Sequence, residues 1–129
     1  MTPKEAFKIA KETISEEFFL CEMEHWFSVT IIEKDMLTPL PSYLISKEDG
    51  KMYPFTFEFL DEHNIKFALG AFPIDMETFE IILPYSPYIP DFIMSKDPWV
   101  REKMKKLEKT DPEVRWWIKE YGLEQEYYK

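Results

Sequence analysis

The chain has 129 residues, 45% hydrophobic and 17% aromatic, which excludes global disorder and lets one domain bury a core without disulfides or a structural metal. Its 25 Asp and Glu outweigh 16 Lys and Arg, for a net charge of −9; such a field repels nucleic acid and membrane surfaces and steers basic partners inward. One cysteine excludes an internal disulfide, and with no signal peptide and no apolar run of about 18 residues the expectation is a soluble, cytoplasmic protein.

The charge is uneven. Residues 1–95 hold 7 Lys/Arg against 17 Asp/Glu, whereas residues 96–129 hold 9 against 8. Solubility alone explains such acidity as readily as a basic partner does. The 11 Phe, 7 Tyr and 4 Trp exceed what a core of this size usually holds, so some rings are expected on the surface, where aromatic side chains favour interfaces.

In chain order, Thr2-Pro3-Lys4-Glu5 reads as a capping box with proline in the first helical turn. Phe7, Ala10 and Ile14, with Ala6 and Ile9 beside them, form one apolar stripe on a helix over residues 3–15. Residues 18–33 are rich in β-formers. Phe19, Cys21 and Met23 alternate with Leu20, Glu22 and Glu24, and Phe27, Val29 and Ile31 alternate with Trp26, Ser28 and Thr30. One long strand fits this pattern, but the polar run at 22–25 favours a hairpin or a bulge. Residues 35–41 read as a loop marked by Pro39 and Pro41.

The rest of the chain is organised around residues 42–59. Two β-rich runs flank Lys47-Glu48-Asp49-Gly50, and Asp49-Gly50 is the strongest hairpin signal present, because Gly supplies a positive φ. On the return strand Tyr53, Phe55, Phe57 and Phe59 alternate with Pro54, Thr56 and Glu58. They predict an inward aromatic seam on a sheet with one face buried and one wet. Pro54 places that end at an edge or bulge. A second turn is expected at 61–64, a strand at 65–72, another turn at 73–77 and a last strand at 78–83. Pro84, Pro87 and Pro90 then predict an irregular arm over 84–96 that crosses the sheet. Asp97-Pro98 and Asp111-Pro112 each cap a closing helix, the first running to 109 and the second to 121 with Gly122 as its stop. Val100, Met104 and Leu107 form the stripe of the first; Val114, Trp117, Ile118 and Tyr121 form that of the second, with Trp116 off it.

No catalytic motif is present. His25 and His63 are the only histidines and lack metal-ligand spacing, so neither a metal nor a cofactor is expected. Cys21 at an apolar strand position reads as a small hydrophobe. Its one local base, His25, would lie roughly 13 Å away along an extended strand unless a tight turn intervened. Three glycines offer little material for a phosphate cradle. Carboxylate pairs such as Glu22 with Glu24, and Asp61 with Glu62, arise easily in so acidic a chain. The basic run at 101–106 reads as a solvated helix face rather than a nucleic-acid site. What remains is the interleaving of acids with rings at 22–27 and 57–62. Hot spots of protein interfaces favour aromatics in a water-excluding surround, although plain strand alternation yields the same pattern.

The capped helix, the strand pair and the hairpin Pro41-Ser42-Tyr43-Leu44-Ile45-Ser46-Lys47-Glu48-Asp49-Gly50-Lys51-Met52 together resemble the small bacterial immunity proteins of the YrhB-domain group, over about residues 3–59. The further strand pair, proline-rich arm and closing helices depart from that pattern. The resemblance implies a non-enzymatic inhibitor that binds a cognate toxin, and it carries over no catalytic residue.

The reading is therefore an α+β domain: an N-terminal helix on a mainly antiparallel sheet of five or six strands over 1–83, the arm over 84–96, and two helices over 97–129 packed on the sheet. Its expected function is a small acidic cytoplasmic binding protein of immunity or antitoxin type that occludes a toxin with a basic surface. Glu22, Glu24, Trp26, Asp61 and Glu62 are the expected contact residues, with no nucleic acid and no membrane as partner. The rivals are a secretion chaperone or adaptor, which should dimerise; a small carboxylate-dependent enzyme, which needs a pocket with convergent acids; and a nucleic-acid mimic, which needs regularly spaced carboxylates.

Overall fold

Thr2 opens the first helix as expected: its Oγ1 accepts the backbone N–H of Glu5 at 3.2 Å, and the Glu5 carboxylate accepts the Thr2 N–H at 3.3 Å. The computed structural model of the protein describes residues 1–33, 40–65 and 70–128. The chain divides into two compact units, Met1–Ile82 and Leu83–Lys129.

In the first unit, helix α1 (Pro3–Thr13) faces an antiparallel sheet of β1 (Phe18–Glu22), β2 (Trp26–Ile31), β3 (Tyr43–Ser46), β4 (Met52–Pro54) and β5 (Phe72–Pro73), in the order β4-β3-β2-β1-β5. The α+β class is as read from the sequence. Ala6, Ala10 and Ile14 bury the predicted stripe against Phe18, Leu20, Phe27, Val29 and Ile45. The two alanines leave room for α1 to lie close to the strands.

The polar run after β1 makes a hairpin: Met23 N–H donates to the Trp26 carbonyl at 2.9 Å. Pairing Leu20 with Val29 and Phe18 with Ile31 puts the even residues of β1 on the α1 face. The expected odd face, with Phe19 and Cys21, lies on the other side and is only half-buried. The second hairpin forms where Asp49-Gly50 predicts it. Gly50 takes φ 71°, which a side chain would strain. Ser46 Oγ accepts the N–H groups of Glu48 and Asp49 at 3.1 and 3.4 Å, and Gly50 N–H returns to the Ser46 carbonyl at 2.9 Å.

Three expectations for this unit are corrected. The face away from α1 is not wet, since Ser28, Thr30, Leu44 and Ser46 are all buried. The return strand stops at Pro54, so of the supposed seam Tyr53 lies in β4 while Phe57 and Phe59 lie in helix α2 (Phe57–Glu62), in which no residue is buried and Phe57 is 71% exposed. Thr56 causes this: its Oγ1 accepts Phe59 N–H at 3.0 Å and its carbonyl accepts Leu60 N–H at 3.1 Å, starting a helix where alternation alone reads as strand. Asp61 and Glu62 consequently lie in α2 rather than in a turn. The helix ends beyond them at Asn64, whose φ of 52° suits the left-handed cap, with Ile65 N–H returning to the Leu60 carbonyl at 2.9 Å. Third, the last predicted strand is a single bridge, Ile74 to Ile81. Asp75 Oδ1 turns the chain by accepting Glu77 and Thr78 N–H at 2.8 and 3.0 Å. Parts of the predicted loop at 35–41 and strand at 65–72 lie outside the described residues.

In the second unit the expected irregular arm is helical: a 3₁₀ turn (Ser86–Tyr88) runs into α3 (Ile89–Met94). Pro87 and Pro90 sit in first-turn positions, where a missing N–H breaks no helical bond. Helices α4 (Pro98–Glu108) and α5 (Pro112–Glu120) follow, capped by Asp97 and Asp111 as predicted. Val100, Met104, Leu107, Val114 and Ile118 are buried, and Trp116 stands out at 56% exposure. Gly122 at φ 65° closes α5, with Leu123 N–H reaching the Ile118 carbonyl at 2.9 Å. A short α6 (Glu124–Tyr127), not foreseen, is fastened by Tyr127, whose hydroxyl donates to the Ile93 carbonyl at 2.7 Å beneath the Arg101 guanidinium. Burial pushes the Tyr127 phenol up to about 12.

Candidate binding surface

On the face of the sheet away from α1, β2 and β4 each offer one ring, Trp26 and Tyr53. Register requires this: Trp26 pairs with Ser46 and Tyr53 with Leu44, so both point opposite to Phe27 and Ile45. Helix α2 and its cap bring two more rings, Phe59 and His63, four residues apart on one helical face. Trp26 meets Tyr53, Phe59 and His63 edge-on at 6.0, 5.5 and 5.8 Å. Tyr53 stacks on Phe59 at 5.3 Å, and Phe59 lies 4.2 Å from His63. None of the four is buried. A helix of six residues is unstable alone; these contacts hold α2 on the sheet while leaving ring surface open.

The carboxylates fall into two sets. Glu22 is engaged within the protein: its Oε2 takes the Lys47 ammonium at 2.8 Å, with the two side chains only 16% and 19% exposed, and the same ammonium lies 4.9 Å over Phe27. The pair ties the ends of the two hairpins together. Glu22 and Glu24 are not neighbours on a strand face, because β1 ends at Glu22 and Glu24 lies in the turn beyond it. Glu24, Glu48, Asp49, Asp61 and Glu62 are exposed. Asp61 and Glu62 ride on the helix whose Phe59 packs on Trp26, so the two ring-and-acid segments picked out separately in the sequence meet through Trp26 and Phe59.

The turn at 47–51 is more than a backbone device. Asp49 Oδ2 accepts the Tyr53 hydroxyl at 2.6 Å and its Oδ1 accepts Lys51 N–H at 2.8 Å. The Tyr53 bond, and then the Lys51 bond, hold the Asp49 carboxyl below the usual aspartate range. The same link pushes the Tyr53 phenol up. Sequence reading missed Tyr53, His63 and Lys47 as parts of this surface. The four-residue spacing of Phe59 and His63, downstream of the Thr56 cap, is the signal that finds two of the rings.

Beside the cluster, a cleft of about 440 Å3 opens between the two hairpin turns, lined by His25, Trp26, Ser46, Lys47 and Glu48. Cys21 pairs with Ser28 inside the ladder. Burial, partly offset by the neighbouring Ser28 hydroxyl, pushes its thiol up to about 11, so it stays protonated at neutral pH. His25 lies at the exposed tip of the turn, 3.8 Å from Glu24. Among the described residues no group of three or more His, Cys, Asp or Glu is placed to hold a metal ion, and no helix among them is long and apolar enough to cross a membrane.

The charge belongs to the unit that carries the rings. Residues 1–82 hold 7 Lys/Arg against 16 Asp/Glu, and residues 83–129 hold 9 against 9. No family model, curated protein or solved structure matches the chain.

Proposed function

We propose that the protein is a small binding protein of immunity type, which neutralises a toxin by covering a basic, substrate-contacting surface of it with the ring-bearing face of residues 1–82. The observation that carries this reading is helix α2. It buries no residue of its own, yet it is held by Trp26, Tyr53, Phe59 and His63 in a half-open cluster. Exposed rings beside carboxylates are the composition of an interface centre and its charged rim. The field of the acidic unit adds attraction and a fast on-rate towards a basic partner. The mechanism is occlusion, with no chemical step.

Affinity purification from the native host, with the wild-type protein beside the variant Glu24→Lys/Asp61→Lys/Glu62→Lys, tests it. The expected result is a protein that co-elutes in stoichiometric amount, is toxic when expressed alone, is neutralised by co-expression, and is lost from the charge-reversed variant. Full neutralisation by that variant overturns the reading.

A further inference from the structure

The cleft between the two hairpin turns has a composition suited to one side-chain type. Its apolar wall is the Trp26 indole, and its acidic side is Glu48, with Glu24 on the neighbouring turn. The cation that also lines it, Lys47, is already matched by Glu22 at 2.8 Å, so the charge presented outward is that of the exposed carboxylates. The cleft is also built to keep its shape. Lys47 N–H donates to the His25 carbonyl at 3.0 Å, joining the two turns, and Ser46 Oγ pins Glu48 and Asp49.

We infer that this cleft is the anchor pocket of the proposed interface and takes an arginine side chain from the protein partner, its guanidinium stacked on Trp26 and hydrogen-bonded to Glu48. This rests on the binding reading above and names the partner group that the surface recognises. Charge complementarity selects a cation. The flat indole beside a carboxylate then selects arginine over lysine, because a planar guanidinium stacks on a ring while its N–H fork meets the acid, whereas an ammonium remains a hydrated point charge.

The test is an NMR titration of the full chain with three pentapeptides, each a single central residue flanked by glycine and serine: arginine, lysine, and citrulline as the neutral isostere. The arginine peptide is expected to shift the Trp26 indole N–H and the Trp26, Lys47 and Glu48 amides, with about threefold weaker binding for lysine and none for citrulline. Glu48→Gln should remove the preference, and Trp26→Phe, which keeps a ring in the cluster, should weaken it. Equal affinity for arginine and lysine, or shifts scattered over acidic residues elsewhere, overturns the inference. The two proposals fail separately. A captured partner that is lost on reversal of Asp61 and Glu62, yet is indifferent to Glu48→Gln, leaves the interface standing without its arginine pocket. A partner indifferent to the charge reversals removes the interface, whatever the pentapeptides do.

Discussion

Helices α1 and α2 begin alike and end in opposite roles. Each starts on a threonine whose hydroxyl accepts the N–H three residues on, Glu5 for Thr2 and Phe59 for Thr56. Beyond the cap they diverge. Helix α1 runs for 11 residues and drives Ala6 and Ala10 to full burial, so it is part of the core. Helix α2 runs for 6 residues and buries none, and the ring contacts that join it to the sheet, Phe59 on Trp26 and on Tyr53, leave those rings half-exposed. A cap decides where a helix starts. The side chains behind it decide whether the helix stabilises the fold or is presented by it.

The sharpest way to break the contrast is to place a charge in α1. Ala10→Asp puts an unpaired carboxylate at a site with no solvent access and should cost about 3 kcal/mol or more, lowering the urea midpoint of the whole first unit. The same change at an exposed α2 residue, Phe57→Asp, should leave that midpoint unmoved. Next in size is Trp26→Ala, which removes three ring contacts and should cost the docking of α2 about 2 kcal/mol, read as faster exchange of the α2 amides.

The caps sharpen the comparison. Thr2→Ala and Thr56→Ala each remove the hydroxyl that accepts the capping N–H, worth about 1 kcal/mol to the helix concerned. In urea only Thr2→Ala should shift the global transition, because α2 opens without the core. Circular dichroism and amide exchange distinguish the two outcomes.

The smallest effect is that of acid on the second hairpin. The Asp49 carboxyl is held low by Tyr53 and then by Lys51. The support it provides is therefore present above the ordinary aspartate range and is lost as pH falls through its own lower value. Carboxyl 13C titration should find Asp49 below the ordinary aspartate range, and Tyr53→Phe should bring it back towards that range. An Asp49 that titrates in the ordinary range contradicts the link.

Much of this architecture is legible in the sequence where a local signal has no competitor. The Thr2 capping box, the two Asp-Pro helix starts, Asp49-Gly50 and Gly122 each specify a backbone conformation through their nearest neighbours. The failures are places where two local signals compete. Tyr53, Phe55, Phe57 and Phe59 alternate as a strand does, but Thr56 caps a helix across the same residues, and Pro54 cannot extend the ladder. Pro84, Pro87 and Pro90 suggest an irregular arm, yet two of them occupy the first-turn positions that helices accept. The site was legible only in pieces. The ring-and-acid segments around Trp26 and Phe59 stand out singly. Their meeting, and the capture of Glu22 by Lys47 from 25 residues away, depend on tertiary pairing that no local window contains.

The central claim is that α2 is a separable element held on the sheet by the ring cluster, and native-state hydrogen exchange tests it most directly. In the wild-type protein the Leu60 and His63 amides, bonded to the Thr56 and Phe59 carbonyls, should exchange through a local opening well below the global unfolding free energy. The Ile14 amide, bonded to Ala10 at the end of α1, should exchange far more slowly. Trp26→Ala should abolish protection at Leu60 and His63 while leaving Ile14 protected above them. If Leu60 and His63 exchange only with global unfolding, as slowly as Ile14, and keep their protection without Trp26, then α2 belongs to the core and the account is contradicted.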